Sequence, residues 1–173
     1  MFYDLLKSRR SIRKFQDREV EKEKLDTIFK SVLLSPSSRA RRPWEFIAVT
    51  DRELLSKLSQ CKEYGSQFLA GAPVGIVVAA DPEASDVWVE DTSLASVIIQ
   101  LSAQSMGLAS CWIQVRERFN ADNKSAEDCI KTVLGIPERL RVDNIIAIGY
   151  PAEVRKPYEE EELNYEKIHF NRF

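Results

Sequence analysis

Between Glu21 and Leu34 apolar residues recur at helical spacing, at Leu25, Ile28, Phe29, Val32 and Leu33, while lysines and glutamates fill the opposite face. The pattern predicts an amphipathic helix. It stops before Pro36, because the residue preceding a proline disfavours helical geometry, so Ser35-Pro36-Ser37-Ser38 reads as a loop. Phe46-Ile47-Ala48-Val49 predicts a short strand, and Asp51 is placed to cap a helix whose inner face is Leu54, Leu55 and Leu58. Val74 to Ala80 is a near-continuous apolar run, as in a strand covered on both faces. From Thr92 to Val115 no charged residue occurs. Its first part, through Met106, predicts a core helix packed on all sides, and after Gly107 the alternation of Cys111, Ile113 and Val115 predicts a strand. Ala126, Cys129, Ile130 and Val133 mark a further amphipathic helix, ended by Gly135 with Pro137 beyond, and Asn144 to Ile148 reads as the last core strand.

Composition narrows the class. The 173 residues are 44% hydrophobic and 30% charged, the profile of one folded domain without repeat or linker. Twenty-five basic against 27 acidic residues leave a net charge of −2, so no general attraction for nucleic acid or an anionic membrane is expected. Cys61, Cys111 and Cys129 are odd in number and form no CxxC pair, which argues against a disulfide framework or a zinc site and for a reducing, cytoplasmic setting. The charged residues Asp4, Lys7, Arg9 and Arg10 interrupt any apolar leader, so export is not expected. His169 is the sole histidine and lies in the tail, a poor place for a nucleophile's base. The chain has no HExxH, no acidic cluster with metal spacing, no GxGxxG and no P-loop. With few protein acids or nucleophiles available, an enzyme of this sequence borrows its reactivity from a cofactor.

Two basic segments stand out. Arg9-Arg10-Ser11, followed by Arg13 and Lys14, offers guanidiniums and a hydroxyl suited to a phosphate, although such clusters are commonly solvated or paired with carboxylates. The loop Ser35 to Trp44, carrying Arg39, Arg41 and Arg42, lies between a helix and a buried strand, where binding groups are often found; Pro43-Trp44 also reads as a turn with an aromatic core plug. Beyond Pro151 an acidic run, Glu159 to Glu162, precedes the apolar Tyr165, Ile168, Phe170 and Phe173, for which a partner subunit is the natural burial place.

The order Arg9-Arg10-Ser11-Ile12-Arg13-Lys14-Phe15, Ser35-Pro36-Ser37-Ser38 up to Pro43-Trp44-Glu45-Phe46, Gly107-Leu108-Ala109-Ser110-Cys111-Trp112-Ile113 and Gly149-Tyr150-Pro151 resembles the nitroreductase family of FMN-dependent oxidoreductases across nearly the whole chain. The resemblance implies an α+β fold, a central, mostly antiparallel sheet flanked by helices, in an intertwined homodimer. It also implies one domain over 1–173, whose segment 151–173 is an arm reaching over the partner. FMN would be held by Arg9, Arg10 and Ser11 at its phosphate and ribityl end, and by Arg13 as electrostatic stabiliser at N1 and the C2 carbonyl. Pro36, Ser37 and Ser38 would come from the other subunit, and Cys111, Trp112, Ile113 and Gln114 would lie along the ring. The implied reaction is ping-pong: NADH or NADPH as donor, a small organic acceptor such as a nitroaromatic or quinone, no catalytic side chain and no metal. Ala40 and Arg42 stand where many members have Asn and Gln, and the basic residue that often completes the phosphate site is matched by Arg155, Lys156 or Arg172. A flavin-binding or redox-sensing module without turnover, and a nucleic-acid-binding protein using the same arginines, are the rival readings.

Overall fold

The apolar runs pair into a single antiparallel sheet in a computed structural model that describes residues 1–173. Its strands are β1 (Trp44–Val49), β2 (Val74–Ala80), β3 (Ala109–Gln114) and β4 (Arg141–Gly149), in the order β1-β2-β4-β3. The two central strands are buried almost throughout, as their unbroken apolar sequences require. Five helices surround them: α1 (Phe2–Ser8), α2 (Lys22–Leu33), α3 (Arg52–Ser59), α4 (Trp88–Ser105) and α5 (Ala126–Leu134).

Strand alternation separates two cores. Val77, Ala79, Ile113, Ile145 and Ala147 face α3 and α5, meeting Leu55, Leu58 and Ile130. Ile76, Val78, Ile146 and Ile148 face the other way, against Ile28 and Val32 of α2 and Ala95, Ile99 and Ala103 of α4. The helix ends follow local rules. Asp51 Oδ1 accepts from Leu54 N at 2.9 Å, Ser125 Oγ from Asp128 N, and Gly135 takes the left-handed conformation (φ 66°) that stops α5. Gly149 is required by packing: a Cβ there would lie 2.6 Å from Pro73 and 3.0 Å from the Phe15 ring.

Two expectations are corrected. Cys61 and Cys129 form a disulfide, joining the end of α3 to α5 inside the core, so their wide spacing misled and the cysteines carry no evidence of a reducing compartment; Cys111 is the free, buried thiol. Sequence distance says nothing about approach in three dimensions. Secondly, α4 begins at Trp88 and is not packed on all sides within one chain, since Leu94 and Val97 are 48% and 45% exposed on one stripe. The segment after Pro151 starts along α1 of the same chain: Tyr158 N donates to Lys7 O at 3.0 Å, and Glu160 accepts from Tyr3 Oη and Lys7 Nζ. Beyond it Tyr165, Ile168, Phe170 and Phe173 lie exposed. No helix is long and apolar enough to cross a membrane.

Candidate functional site

Residues 9–13 leave α1 in extended backbone, with Arg9 at φ −68°, ψ 118°. They run beside β3, where Ser11 bridges Ser110 in parallel and Ile12 N donates to Ser110 O at 3.1 Å. Burial of Ile12 pins the segment. Period-two alternation starts Arg9, Ser11 and Arg13 on one side and Arg10 on the other, although the long Arg10 side chain still reaches a cleft shared with Ser11 and Arg13. The first three surround the Cys111 thiol, which burial pushes above its ordinary pKa while the Arg13 charge and the Ser11 hydroxyl oppose the rise. Arg10 instead turns to the C-terminal arm, donating to the Lys156 carbonyl and stacking its guanidinium 4.3 Å from the centre of the Tyr158 ring.

Neither Arg9, Arg10 nor Arg13 forms an ion pair with a carboxylate. The Glu153 carboxylate is nearby but occupied by backbone, accepting from Arg13 N at 2.7 Å and Lys14 N at 3.3 Å, and these bonds hold it below the ordinary carboxylate range. A cleft of about 160 Å³ is lined by Arg10, Ser11, Arg13, Arg155 and Tyr158. Of the C-terminal basic residues, Arg155 is thus the one brought to the arginine segment. Three guanidiniums and a hydroxyl around one cleft, without a protein counter-ion among the first two, form a site with positive charge to spare for an anion.

The serine loop is built differently. Ser35 is buried, Ser37 Oγ accepts from Arg42 N at 2.8 Å, and Ser38 N donates 2.7 Å to Oδ1 of Asp91. Asp91 lies in the first turn of α4, 2% exposed, and its second oxygen accepts from Ser85 Oγ at 2.8 Å. This carboxylate therefore fixes the loop backbone, a role that sequence reading missed because Asp91 merely borders the uncharged stretch. Arg39, Ala40 and Arg42 all have positive φ, between 49° and 54°. Ala40 thus occupies a left-handed position that Asn tolerates better than Ala. Trp44 is a core plug, 8% exposed, with its ring 5.4 Å from that of Phe46.

On β3 the side chains divide between the two faces of the sheet. Cys111 and Ile113 point toward α3 and α5, Trp112 and Gln114 toward α4, so one flat ligand cannot lie on all four. Trp112 Nε1 donates to Gln114 Oε1 at 2.9 Å, and Gln114 Nε2 to Arg116 O at 3.2 Å, which orders the strand's end. Asp143 is the residue skipped by the pairing of β4 with β2, a bulge that frees its carbonyl to accept from Val115 N and Arg116 N. Its buried carboxyl is pushed upward by desolvation, against the hydrogen bonds from Asn144 Nδ2 and Thr92 Oγ1 at 2.9 Å each.

One chain does not bring its own two halves together. Asp91 and the serine loop stand at the start of α4, whereas Gln104, which donates to Ser8 Oγ at 3.2 Å, stands at its end beside the arginine segment. Thirteen residues of helix separate them by about 20 Å.

The comparisons with known proteins agree with this architecture. The Nitroreductase family profile matches residues 6–65 and 56–150. A solved structure described as an FMN-dependent nitroreductase from Clostridium difficile R20291 superposes with a TM-score of 0.97 at 52% identity, covering 99% of each chain. A relative from Archaeoglobus fulgidus, carrying the provisional name NADH dehydrogenase/NAD(P)H nitroreductase, is 37% identical over 95% of this chain and 94% of its own. One from Methanothermobacter thermautotrophicus under the same name is 36% identical, over 95% and 86% respectively. The antiparallel sheet, the arginine segment on its edge and the serine loop on α4 thus belong to a member of the nitroreductase family of oxidoreductases.

Proposed function

We propose that the chain is an FMN-dependent oxidoreductase that uses NADH or NADPH to reduce a small organic acceptor, a nitroaromatic or a quinone, in a homodimer with two shared sites. The observation that carries this reading is the 20 Å separation of two incomplete half-sites along α4. A second copy laid antiparallel across the exposed Leu94 and Val97 would carry its serine loop to the first copy's arginine segment, and the reverse. That packing also covers apolar surface that a single chain leaves in water. The exposed end of the arm, with Ile168, Phe170 and Phe173, extends the same interface.

The residues present fit the cofactor. Arg9 and Arg10, neither paired with a carboxylate, and the Ser11 hydroxyl suit the phosphate and ribityl end, and Arg155, itself 3.7 Å from Glu153, lines the cleft with Arg10, Ser11 and Arg13. Pro36, Ser37 and Ser38 of the partner subunit would approach the ring, with the Ser38 N–H held by Asp91. Arg13 would place a fixed cation where a reduced flavin ring carries negative charge. Of the β3 residues, Cys111 and Ile113 are buried on the arginines' side of the sheet and would meet the ring only through their backbone, while Trp112 and Gln114 are half-buried on the other face. Bound there, FMN supplies a hydride acceptor and donor that lets the nicotinamide and the organic acceptor use the site in turn, as in ping-pong kinetics. The protein's own part is to orient both substrates and to exclude bulk water from the ring face.

Purified protein is expected to be yellow and to release FMN on denaturation. Arg13→Ala should weaken FMN binding roughly ten- to a hundredfold, the effect of losing one charge-assisted contact, and slow reduction by NAD(P)H. A colourless protein that takes up no added FMN would overturn the reading. Unchanged flavin affinity in the variant would remove Arg13 from it.

A further inference from the structure

Away from the arginine segment, the loop after α3 and the loop after β3 face each other across an open cleft of about 550 Å³. Lys62 and Arg118 line it from the two loops, with the rings of Tyr64 and Phe119 and the amides of Asn120 and Asn123 around them; the exposed Glu63 carboxylate also lies on its wall and pairs with neither cation. Lys62 is half-buried, its Nζ folded over Gly65, and neither a carboxylate nor a hydrogen-bond acceptor meets it. Arg118 donates to the Glu117 carbonyl at 2.9 Å and has no carboxylate either, because Glu117 is drawn to Arg116 at 2.7 Å. Two cations held together, one of them half-desolvated, cost free energy that a protein counter-charge normally offsets. Burial, and then the Arg118 charge, lower the Lys62 pKa accordingly. The aromatic rings leave 74% and 52% of Tyr64 and Phe119 in solvent. These walls are preformed: Glu63 N donates to Phe119 O at 3.1 Å, Phe119 bridges Ser125, and Asn120 Oδ1 accepts from Asp122 N and Lys124 N. The Cys61–Cys129 bond ties the base of one wall to α5 beneath the other.

We propose that this cleft binds the oxyanion of a planar, ring-bearing ligand between Lys62 and Arg118, with Tyr64 and Phe119 against the ring. The inference rests on the oxidoreductase reading for its choice of ligand and makes the acceptor or donor an anion: an aromatic carboxylate, or the phosphate of a nicotinamide dinucleotide. Residues 62–68 connect the cleft to the candidate flavin site, since the Phe68 ring lies 5.8 Å from the Arg13 guanidinium and Gln67 Oε1 fixes the turn at Gly65 and Ser66.

The test is equilibrium binding of 4-nitrobenzoate and of its uncharged analogue 4-nitrobenzamide, measured calorimetrically on the full chain with and without added FMN. The acid should bind about tenfold more tightly than the amide, and the Lys62→Met/Arg118→Met variant should reduce that preference to less than about twofold. The melting temperature of the variant reports that it is folded. Competition identifies the source of the anion: displacement of 4-nitrobenzoate by NADP⁺, with or without NAD⁺, assigns the cleft to a phosphate of the donor, and displacement by neither assigns it to the acceptor. Equal affinity for acid and amide, or a preference that survives the double substitution, overturns the proposal. Because the preference is read without turnover, failure to take up FMN would refute the oxidoreductase reading and leave the anion site measurable.

Discussion

Glu127→Ala should lower stability by about 3 kcal/mol, the cost of breaking a buried charge pair by removing one partner. Glu127 is 7% exposed in the first turn of α5. It accepts two parallel bonds from Arg141, at 2.8 and 2.9 Å, and a third from Val142 N at 2.9 Å, which fastens α5 to the start of β4. Its loss leaves Lys131, 6% exposed, with only Glu138 and that residue's carbonyl as partners. Desolvation opposes ionisation of Glu127, but the Arg141 and Val142 bonds outweigh it and hold the carboxyl below its ordinary range. A depressed folded pKa stabilises above the unfolded value and ceases to do so as pH falls through the folded one. The difference between wild type and Glu127→Gln in urea unfolding should therefore be full at pH 7 and shrink below pH 4.5. Lys131→Met in the Glu127→Ala background should recover part of the loss. A difference independent of pH would show that the carboxylate acts by shape alone.

Reduction of the Cys61–Cys129 bond should cost about 4 kcal/mol, or about 10 °C in melting temperature, by the chain-entropy relation for so long a loop. The two residues are 68 positions apart, and their link spans α3 and α5 within the core. Melting with and without dithiothreitol reads the effect directly, and a Cys129→Ala variant should melt identically in both. Thiol titration of the unfolded, unreduced chain should find one group, Cys111. Three thiols, or melting indifferent to the reductant, would show the bond to be absent.

What the sequence displayed and what it concealed have a common physical basis. Helices and strands were legible wherever one face is buried, because burial writes its period directly into the chain; α2, β2 and α5 appear within a few residues of their predicted limits. The sheet's order was not, since antiparallel neighbours leave no mark of which strand they pair with. Arg9, Arg10, Ser11 and Arg13 were legible as a cluster, but the turn of Arg10 toward the C-terminal arm depends on the extended backbone that Ile12 and Ser110 impose. Asp91 and Lys62 were invisible for another reason, and Arg155 could not be told from Lys156 or Arg172. Each is an ordinary charged residue in a chain that is 30% charged, and only its surroundings distinguish it. The disulfide is the same case in sulfur: contact across 68 positions is a property of the fold.

The placement of the serine loop and the arginine segment at opposite ends of α4 bears on inheritance as much as on geometry. In the proposed dimer each pocket draws one end from each subunit. A chain defective at Asp91 and a chain defective at Arg9 and Arg13 are then inactive alone, yet their mixed dimer contains one pocket with both lesions and one with neither. Two null alleles would complement each other, and subunit exchange between two dead proteins would restore up to half the sites of the mixed dimers.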